Sequence, residues 1–262
     1  YDFHCTTSRD ALHDLNELKT VIEKRHGGAS DLEDFLRKAH FIDYEGTRAM
    51  IEAHRVNVPR STGVIQWMLN SAWPSLYWQM YDWYLVPVSS YWSVKKGCAP
   101  QQLIYNYGDK HIYAVNDEKE YMDLRAFMTV YGLDGTVLSD AKCDVEMAAG
   151  SSIKVFETPE LDKIGFVFLR LEDAKGNVVS RNEYCLAEVM DKHNWEKYRW
   201  WRTQIESYAD FTALNDLTAA EVTAETVKTD NGLEVTLENR SSVVAFFIRM
   251  SLKDDAGELV VP

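Results

Sequence analysis

The chain has 262 residues, of which 46% are hydrophobic and 26% are charged. This is an ordinary composition for a globular protein with room for two domains or parts of three. The formal net charge of −13 argues against a nucleic-acid partner, because such a partner requires a basic face. No apolar run is long enough to cross a bilayer, so no membrane partner is expected.

The cysteines and histidines show no metal-binding spacing, so neither a metal nor another cofactor is expected. None of the four cysteines lies in a C-x-x-C pair. A disulfide between Cys143 and Cys185 across one sandwich is conceivable, but buried free thiols are the favoured interpretation.

Two helices are predicted near the start of the chain. Apolar residues at helical spacing indicate a helix over residues 8–25, which Gly27 and Gly28 end. Ser30 and Glu33 form a capping-box pattern, which predicts a second helix over residues 31–56.

Glu45 and Arg48 lie three residues apart on the second predicted helix. One interpretation makes Glu45 a catalytic carboxylate. The other makes the two residues an ion pair on one helix face, and we favour it because this spacing brings side chains together.

Residues 63–69 are predicted to form a strand buried on both faces, since they are apolar and include Val64 and Ile65. Pro74 cannot extend such a strand. Trp67, Asn70 and Trp73 would then lie at its carboxyl end, where active sites of α/β barrels are built.

Residues 75–94 are rich in tyrosine and tryptophan. These rings could stack on a sugar, or they could pack where a helix meets the next domain. We favour packing for most of them.

From residue 98 the pattern changes to short alternating runs, which predict seven strands of an immunoglobulin-like β-sandwich. Residues 191–217 show no strand alternation, and their periodicity is compatible with a helix. Further strands are predicted at the end of the chain, with residues 230–232 as a hairpin turn. The predicted strands cover residues 102–107, 111–116, 124–131, 137–147, 151–157, 165–172, 178–189, 219–228, 233–238 and 243–252.

Four segments resemble family 2 glycoside hydrolases, in the exo-β-D-glucosaminidase and β-mannosidase branch. They are residues 2–5, 39–50, 63–74 and 208–215. The resemblance implies a mixed fold: residues 1–97 as the end of a (β/α)8 barrel, 98–190 as the immunoglobulin-like sandwich, 191–218 as a connector, and 219–262 as the start of a second, truncated sandwich. On this basis we prefer an extended connector to a helix for residues 191–217.

The resemblance further implies a retaining hydrolase acting on β-linked oligosaccharides, with its catalytic carboxylates upstream of this chain. No catalytic residue is therefore assigned here, and the chain alone is expected to be inactive. The expected substrate-binding residues are Trp67, Asn70, Trp73 and His4. A periplasmic or secreted parent is favoured, and self-association of the isolated chain is expected because strand 63–69 would lack its neighbours. The alternative function is a non-catalytic carbohydrate-binding or domain-packing module.

Overall fold

The computed structural model describes residues 15–74, 79–199, 202–230, 232–257 and 260, except for the side chains of Arg199 and Arg202. Three helices precede a β-rich region: α1 (Leu15–His26), α2 (Leu32–Val56) and α3 (Ser89–Gly97). No helix in this part of the chain is long and apolar enough to cross a membrane.

Helix α2 begins with a cap one residue later than predicted. Asp31 is the N-cap, and its Oδ1 accepts the Asp34 amide at 2.8 Å. The Ser30 amide donates to Asp34 Oδ2 at 3.0 Å. The predicted pairing of Ser30 with Glu33 is therefore wrong, because two aspartates already satisfy the free amides at this helix start.

The predicted seven-stranded sandwich is confirmed. Its strands form antiparallel sheets in the orders β1-β2-β5 and β4-β3-β6-β7. The strands are β1 (Gln101–Asn106), β2 (His111–Asn116), β3 (Met122–Tyr131), β4 (Val137–Met147), β5 (Ser151–Glu157), β6 (Ile164–Asp173) and β7 (Val178–Ala187).

Alternate residues of β6 and β7 contribute to two different apolar clusters. Val167, Leu169 and Leu186 belong to the core between the sheets. Phe166 and Cys185 belong to a second cluster on the opposite face of the four-stranded sheet. That second cluster also contains residues from α2 and from the C-terminal region: Phe41, Ala209, Phe211, Val244, Phe246 and Phe247.

Cys143 and Cys185 are both free thiols. They lie on β4 and β7, which are the opposite edge strands of one sheet. Two intervening strands separate them, so a disulfide cannot form.

The segment after the sandwich is not a simple extended connector. It forms an antiparallel hairpin, β8 (Lys192–Arg199) and β9 (Arg202–Ser207), followed by a short 3₁₀ helix, Thr212–Asp216. Residues 208–215 then dock on the end of α1. Asp191 pairs with Arg25, the Phe211 amide donates to the Arg25 carbonyl at 2.7 Å, and Asn215 Nδ2 donates to the His26 carbonyl at 2.8 Å.

Two of the three strands predicted at the C-terminus are confirmed. They are β10 (Val222–Thr229) and β11 (Gly232–Asn239), joined as a hairpin, with turn residue Asn231 outside the described residues. Residues 243–252 were predicted as a strand and do not form one. Their apolar residues Val244, Phe246 and Phe247 pack onto the second cluster instead of pairing with a strand edge.

Residues 63–69 also do not form the predicted strand. Ile65 is 93% exposed and Leu69 is 61% exposed. The apolar sequence indicated burial, but a strand needs hydrogen-bonded neighbours. Among the described residues, the segment 63–70 makes one β-bridge, which joins Asn70 to Tyr81 in parallel orientation.

Candidate functional site

The three predicted binding residues that the structure describes lie on one exposed segment after α2. Trp67 is 71% exposed, Trp73 is 37% exposed, and Asn70 is also exposed. The peptide bond between Trp67 and Met68 is cis. The remaining predicted residue, His4, lies outside the described residues.

The segment is held at Leu69 and Asn70. The Leu69 carbonyl accepts the amides of Met80 and Tyr81 at 3.0 and 3.1 Å. The following turn is closed by Asp82, whose Oδ1 accepts the amides of Tyr84 and Val86 at 2.8 and 2.9 Å. The backbone around Asn70 is therefore anchored, while the Trp67 ring remains accessible.

Some of the aromatic residues between positions 79 and 92 are packed against each other, and others are exposed. Tyr81 and Tyr91 pack against each other with ring centroids 5.1 Å apart, and Tyr91 also contacts Trp92. Trp83 and Tyr84 are exposed. Packing is thus observed for part of the region, while Trp83 and Tyr84 remain accessible.

The N-terminus of α3 is capped by a residue of α2, a feature that the sequence analysis missed. Val88 occupies the N-cap position and provides no side-chain hydrogen bond. Asp43 Oδ2 instead accepts the Ser89 hydroxyl at 2.5 Å, and its carboxylate also accepts the Ser90 amide. His40 Nδ1 lies 3.0 Å from the Ser89 oxygen. Burial raises the pKa of Asp43 and lowers that of His40.

A buried polar network joins α2 to the sandwich and includes the predicted pair. Glu45 Oε1 lies 2.6 Å from Arg48 Nη2, which confirms an ion pair. The second Glu45 oxygen accepts the Tyr107 hydroxyl at 3.0 Å. Glu52, one helical turn beyond Arg48, accepts the Tyr184 hydroxyl at 2.7 Å.

Burial raises the pKa of Glu45 and Glu52, while the Arg48 charge acts in the opposite direction. Burial alone would lower the pKa of Arg48, but the two carboxylates outweigh it and raise this pKa well above its usual value. Every described partner of these three side chains belongs to the helix–sandwich interface. The network therefore joins α2 to the sandwich, and the Glu45 and Glu52 carboxylates are bonded within that interface.

The described residues contain no group of three or more histidine, cysteine, aspartate or glutamate side chains that could hold a metal ion. The exposed side chains of Trp67, Asn70 and Trp73 offer aromatic stacking and amide hydrogen bonding. These are the two kinds of contact that sugar rings accept, through their C–H faces and their hydroxyl groups.

Comparison with known proteins gives a consistent match. Residues 108–191 match the family model of the mannosidase Ig/CBM-like domain, and residues 200–262 match that of the exo-β-D-glucosaminidase Ig-fold domain. The chain is 34% identical to an exo-β-D-glucosaminidase of Hypocrea jecorina over 99% of its own length. This chain is a homologue of the exo-β-D-glucosaminidases. It spans 31% of the length of that relative.

The homology extends to a solved structure. The exo-chitosanase CsxA of Amycolatopsis orientalis superimposes with a TM-score of 0.88 at 31% identity, covering 97% of this chain and 32% of that one. A β-D-mannosidase of Dictyoglomus thermophilum shares the fold at 22% identity, with a TM-score of 0.59 over 66% of this chain. The immunoglobulin-like sandwiches and the resemblance to this branch of glycoside hydrolases are therefore confirmed.

Proposed function

We propose that this chain is part of a retaining, exo-acting glycoside hydrolase that cleaves β-D-glucosaminides, with β-mannosides as the second substrate class to test. The observation that carries the proposal is the similarity to exo-β-D-glucosaminidases along 99% of the chain. Because the chain spans about a third of such relatives, the activity belongs to the whole protein.

In a retaining mechanism, one carboxylic acid protonates the leaving oxygen and a second carboxylate attacks the anomeric carbon from about 5–5.5 Å away. Glu45 and Glu52 are unsuited to these roles because both are buried against Arg48. In line with the family resemblance, the proposal places both catalytic carboxylates in the part of the protein before this chain, and the chain alone is expected to be inactive.

The contribution of this chain would be one wall of the sugar pocket. Trp67 would form the platform under the terminal sugar. Asn70 would contact a hydroxyl group, Trp73 would form a neighbouring wall, and His4 is a further proposed contact. The exposure of Trp67 leaves its ring accessible for stacking on a sugar.

The test compares Trp67→Ala and Trp67→Phe in the intact parent enzyme. We expect the alanine variant to remain folded and to lose about a hundredfold in kcat/KM, which corresponds to ~3 kcal/mol of transition-state stabilisation. Phenylalanine should recover much of the loss because it keeps a flat face. Trp195→Ala is the matched control, since Trp195 is 70% exposed but lies on the β8–β9 hairpin.

Two results would contradict the proposal. A lower melting temperature with unchanged kcat/KM for Trp67→Ala would make Trp67 a structural residue. An intact parent that binds β-linked oligosaccharides without hydrolysing them would indicate the alternative, a non-catalytic carbohydrate-binding module.

A further inference from the structure

We propose that Asp43 is a positioning residue for residues 67–70, acting through the first turn of α3. The inference rests on the proposed function, in which those residues form a wall of the sugar site. It concerns a residue of α2 that touches neither the exposed segment nor the proposed substrate.

The first step of the coupling is the cap that Asp43 provides. Helix α3 has no capping side chain of its own, and its Tyr91 amide already donates to the Val88 carbonyl at 3.1 Å, so the amides of residues 89 and 90 depend on an external acceptor. The Asp43 carboxylate accepts the Ser90 amide and, beside it, the Ser89 hydroxyl. A negative charge at a helix N-terminus is also favoured by the helix dipole.

The second step connects the first turn of α3 to residues 79–81. The Ser90 hydroxyl donates to the Gln79 carbonyl at 2.8 Å, and the Val88 amide donates to the Met80 carbonyl at 3.0 Å. Ser90 and Gln79 are both buried, so water cannot readily replace their bond.

The third step reaches the exposed segment. The amides of Met80 and Tyr81 converge on the Leu69 carbonyl, and Tyr81 forms the bridge with Asn70. Leu69 and Asn70 follow Trp67 directly along the chain. Three short contacts thus lead from Asp43 to the backbone beside the proposed sugar platform.

Asp43 is held in position because α2 is bonded to the sandwich. Arg48 and Arg55 of α2 bond to Asn182, Gln102 and the carbonyl of Gly97. The Ser89 hydroxyl has one proton, which it donates to Asp43, so His40 Nδ1 must be the donor in its contact with Ser89. This arrangement fixes the orientation of all three side chains.

The experiment uses the intact parent enzyme with Asp43→Ala, Asp43→Asn and a matched control, Asp31→Ala. Asp31 also caps a helix, since it accepts the Asp34 amide at the start of α2, but it has no contact with α3 among the described bonds. We expect Asp43→Ala to lower kcat/KM about tenfold per folded molecule. Asp43→Asn should recover part of this because its amide oxygen still accepts a hydrogen bond. Asp31→Ala should leave kcat/KM within about twofold of the wild-type value.

Hydrogen exchange in the same proteins provides a readout that does not depend on activity. The amides of Met80 and Tyr81 should exchange at least about tenfold faster in Asp43→Ala and at the wild-type rate in Asp31→Ala. Ser89→Ala, which removes the hydroxyl alone, gives a second variant with the same expected direction if Asp43→Ala does not fold.

The outcomes separate this inference from the proposed function. If Trp67→Ala impairs catalysis while the cap variants change neither kcat/KM nor the two amides, the coupling is refuted and the function stands. If the cap variants accelerate exchange while Trp67→Ala leaves kcat/KM unchanged, the coupling stands and the proposed role of Trp67 in the sugar site is refuted; a parent that does not hydrolyse β-linked oligosaccharides would refute the proposed function itself.

Discussion

The guanidinium carbon of Arg48 lies 4.1 Å from the ring centroid of Tyr184, so a helix cation stacks on an aromatic ring of the sandwich. The Arg48 side chain is fully buried between Glu45 and Glu52. Its Nη1 donates to Asn182 Oδ1 at 3.1 Å and also contacts the Glu183 carbonyl. One arginine thus satisfies groups from both sides of the interface.

Arg48→Ala should therefore be strongly destabilising. The substitution leaves two buried carboxylates without their counter-charge, and such a loss costs about 3–5 kcal/mol. Urea unfolding of the chain measures the effect. The control is Arg125→Ala, which removes an exposed ion pair with Asp144 and should have little effect on the free energy of unfolding. Equal effects of the two substitutions would contradict the role assigned to Arg48.

His26 should make the protein acid-sensitive. Its ring is buried, stacks on Phe211 with centroids 5.6 Å apart, and its Nε2 has no hydrogen-bond partner among the described residues. Burial, together with the positive charges of Arg25 and Lys38, lowers the pKa of His26 from 6.5 to about 4. Between these values the unfolded chain binds a proton that the folded chain does not, so stability falls as the pH decreases through this window.

The expected contribution of His26 is a loss of about 2 kcal/mol between pH 6.5 and 4. His26→Phe should flatten that part of the stability curve because phenylalanine does not titrate. Identical acid profiles for wild type and His26→Phe would show that other groups determine the acid response.

Gly135 in the β3–β4 turn contacts the C-terminal region closely. A Cβ at this position would lie 2.0 Å from the Ser242 carbonyl oxygen, and the residue has φ +82°. Gly176, in the β6–β7 turn, has φ +84° but nothing within 4 Å of a Cβ. Alanine at Gly176 should therefore show only the backbone cost of a side chain at positive φ. Alanine at Gly135 should show that cost together with the cost of the clash with Ser242.

We expect Gly176→Ala to cost about 1 kcal/mol and Gly135→Ala about 2–3 kcal/mol, as determined by chemical denaturation. The extra cost should also appear as faster hydrogen exchange at residues 239–247, because the new methyl group displaces that segment. If the two variants unfold at the same denaturant concentration, the contact between the turn and Ser242 does not contribute to stability.

The isolated chain should self-associate through its exposed apolar segment at residues 63–69. Ile65 and Leu69 lie in water, and such residues favour pairing with another chain. Ile65→Lys should reduce the apparent mass in light scattering at high protein concentration. Val189→Lys, at a similarly apolar and 64% exposed position, should not. A monomeric wild-type chain under these conditions would show that the prediction is wrong.

The sandwich was predictable because strand signals and turn signals agree along residues 101–187. Alternating burial in β3 and turn residues such as Asp134 and Gly135 specify the same register. The segment 63–69 could not be predicted in this way, since its apolar residues indicate burial while its pairing depends on partners that a local pattern does not encode. Residues 243–252 failed for a related reason, because apolar packing does not require a strand.

The candidate site was partly accessible from the sequence. The exposed position of Trp67 agrees with its predicted role, which stays a prediction until tested. The cap that Asp43 provides could not be predicted from a local sequence pattern, because Asp43 and Ser89 are 46 positions apart. The signal that could have revealed it was Val88, which cannot cap α3 and so requires an acceptor from elsewhere.

The polar face of α2 has a consequence for domain exchange between homologues. The sequence pattern places a boundary near Gly97, and a chimera cut there would take the sandwich without the helix. Asn182, Tyr184 and Gln102 would then lose Glu52 and Arg55 as bonding partners. A transplant that begins before Leu32 would carry both halves of the network together. The unit that can be exchanged between homologues therefore consists of α2 and the sandwich together, although one is helical and the other is built of strands.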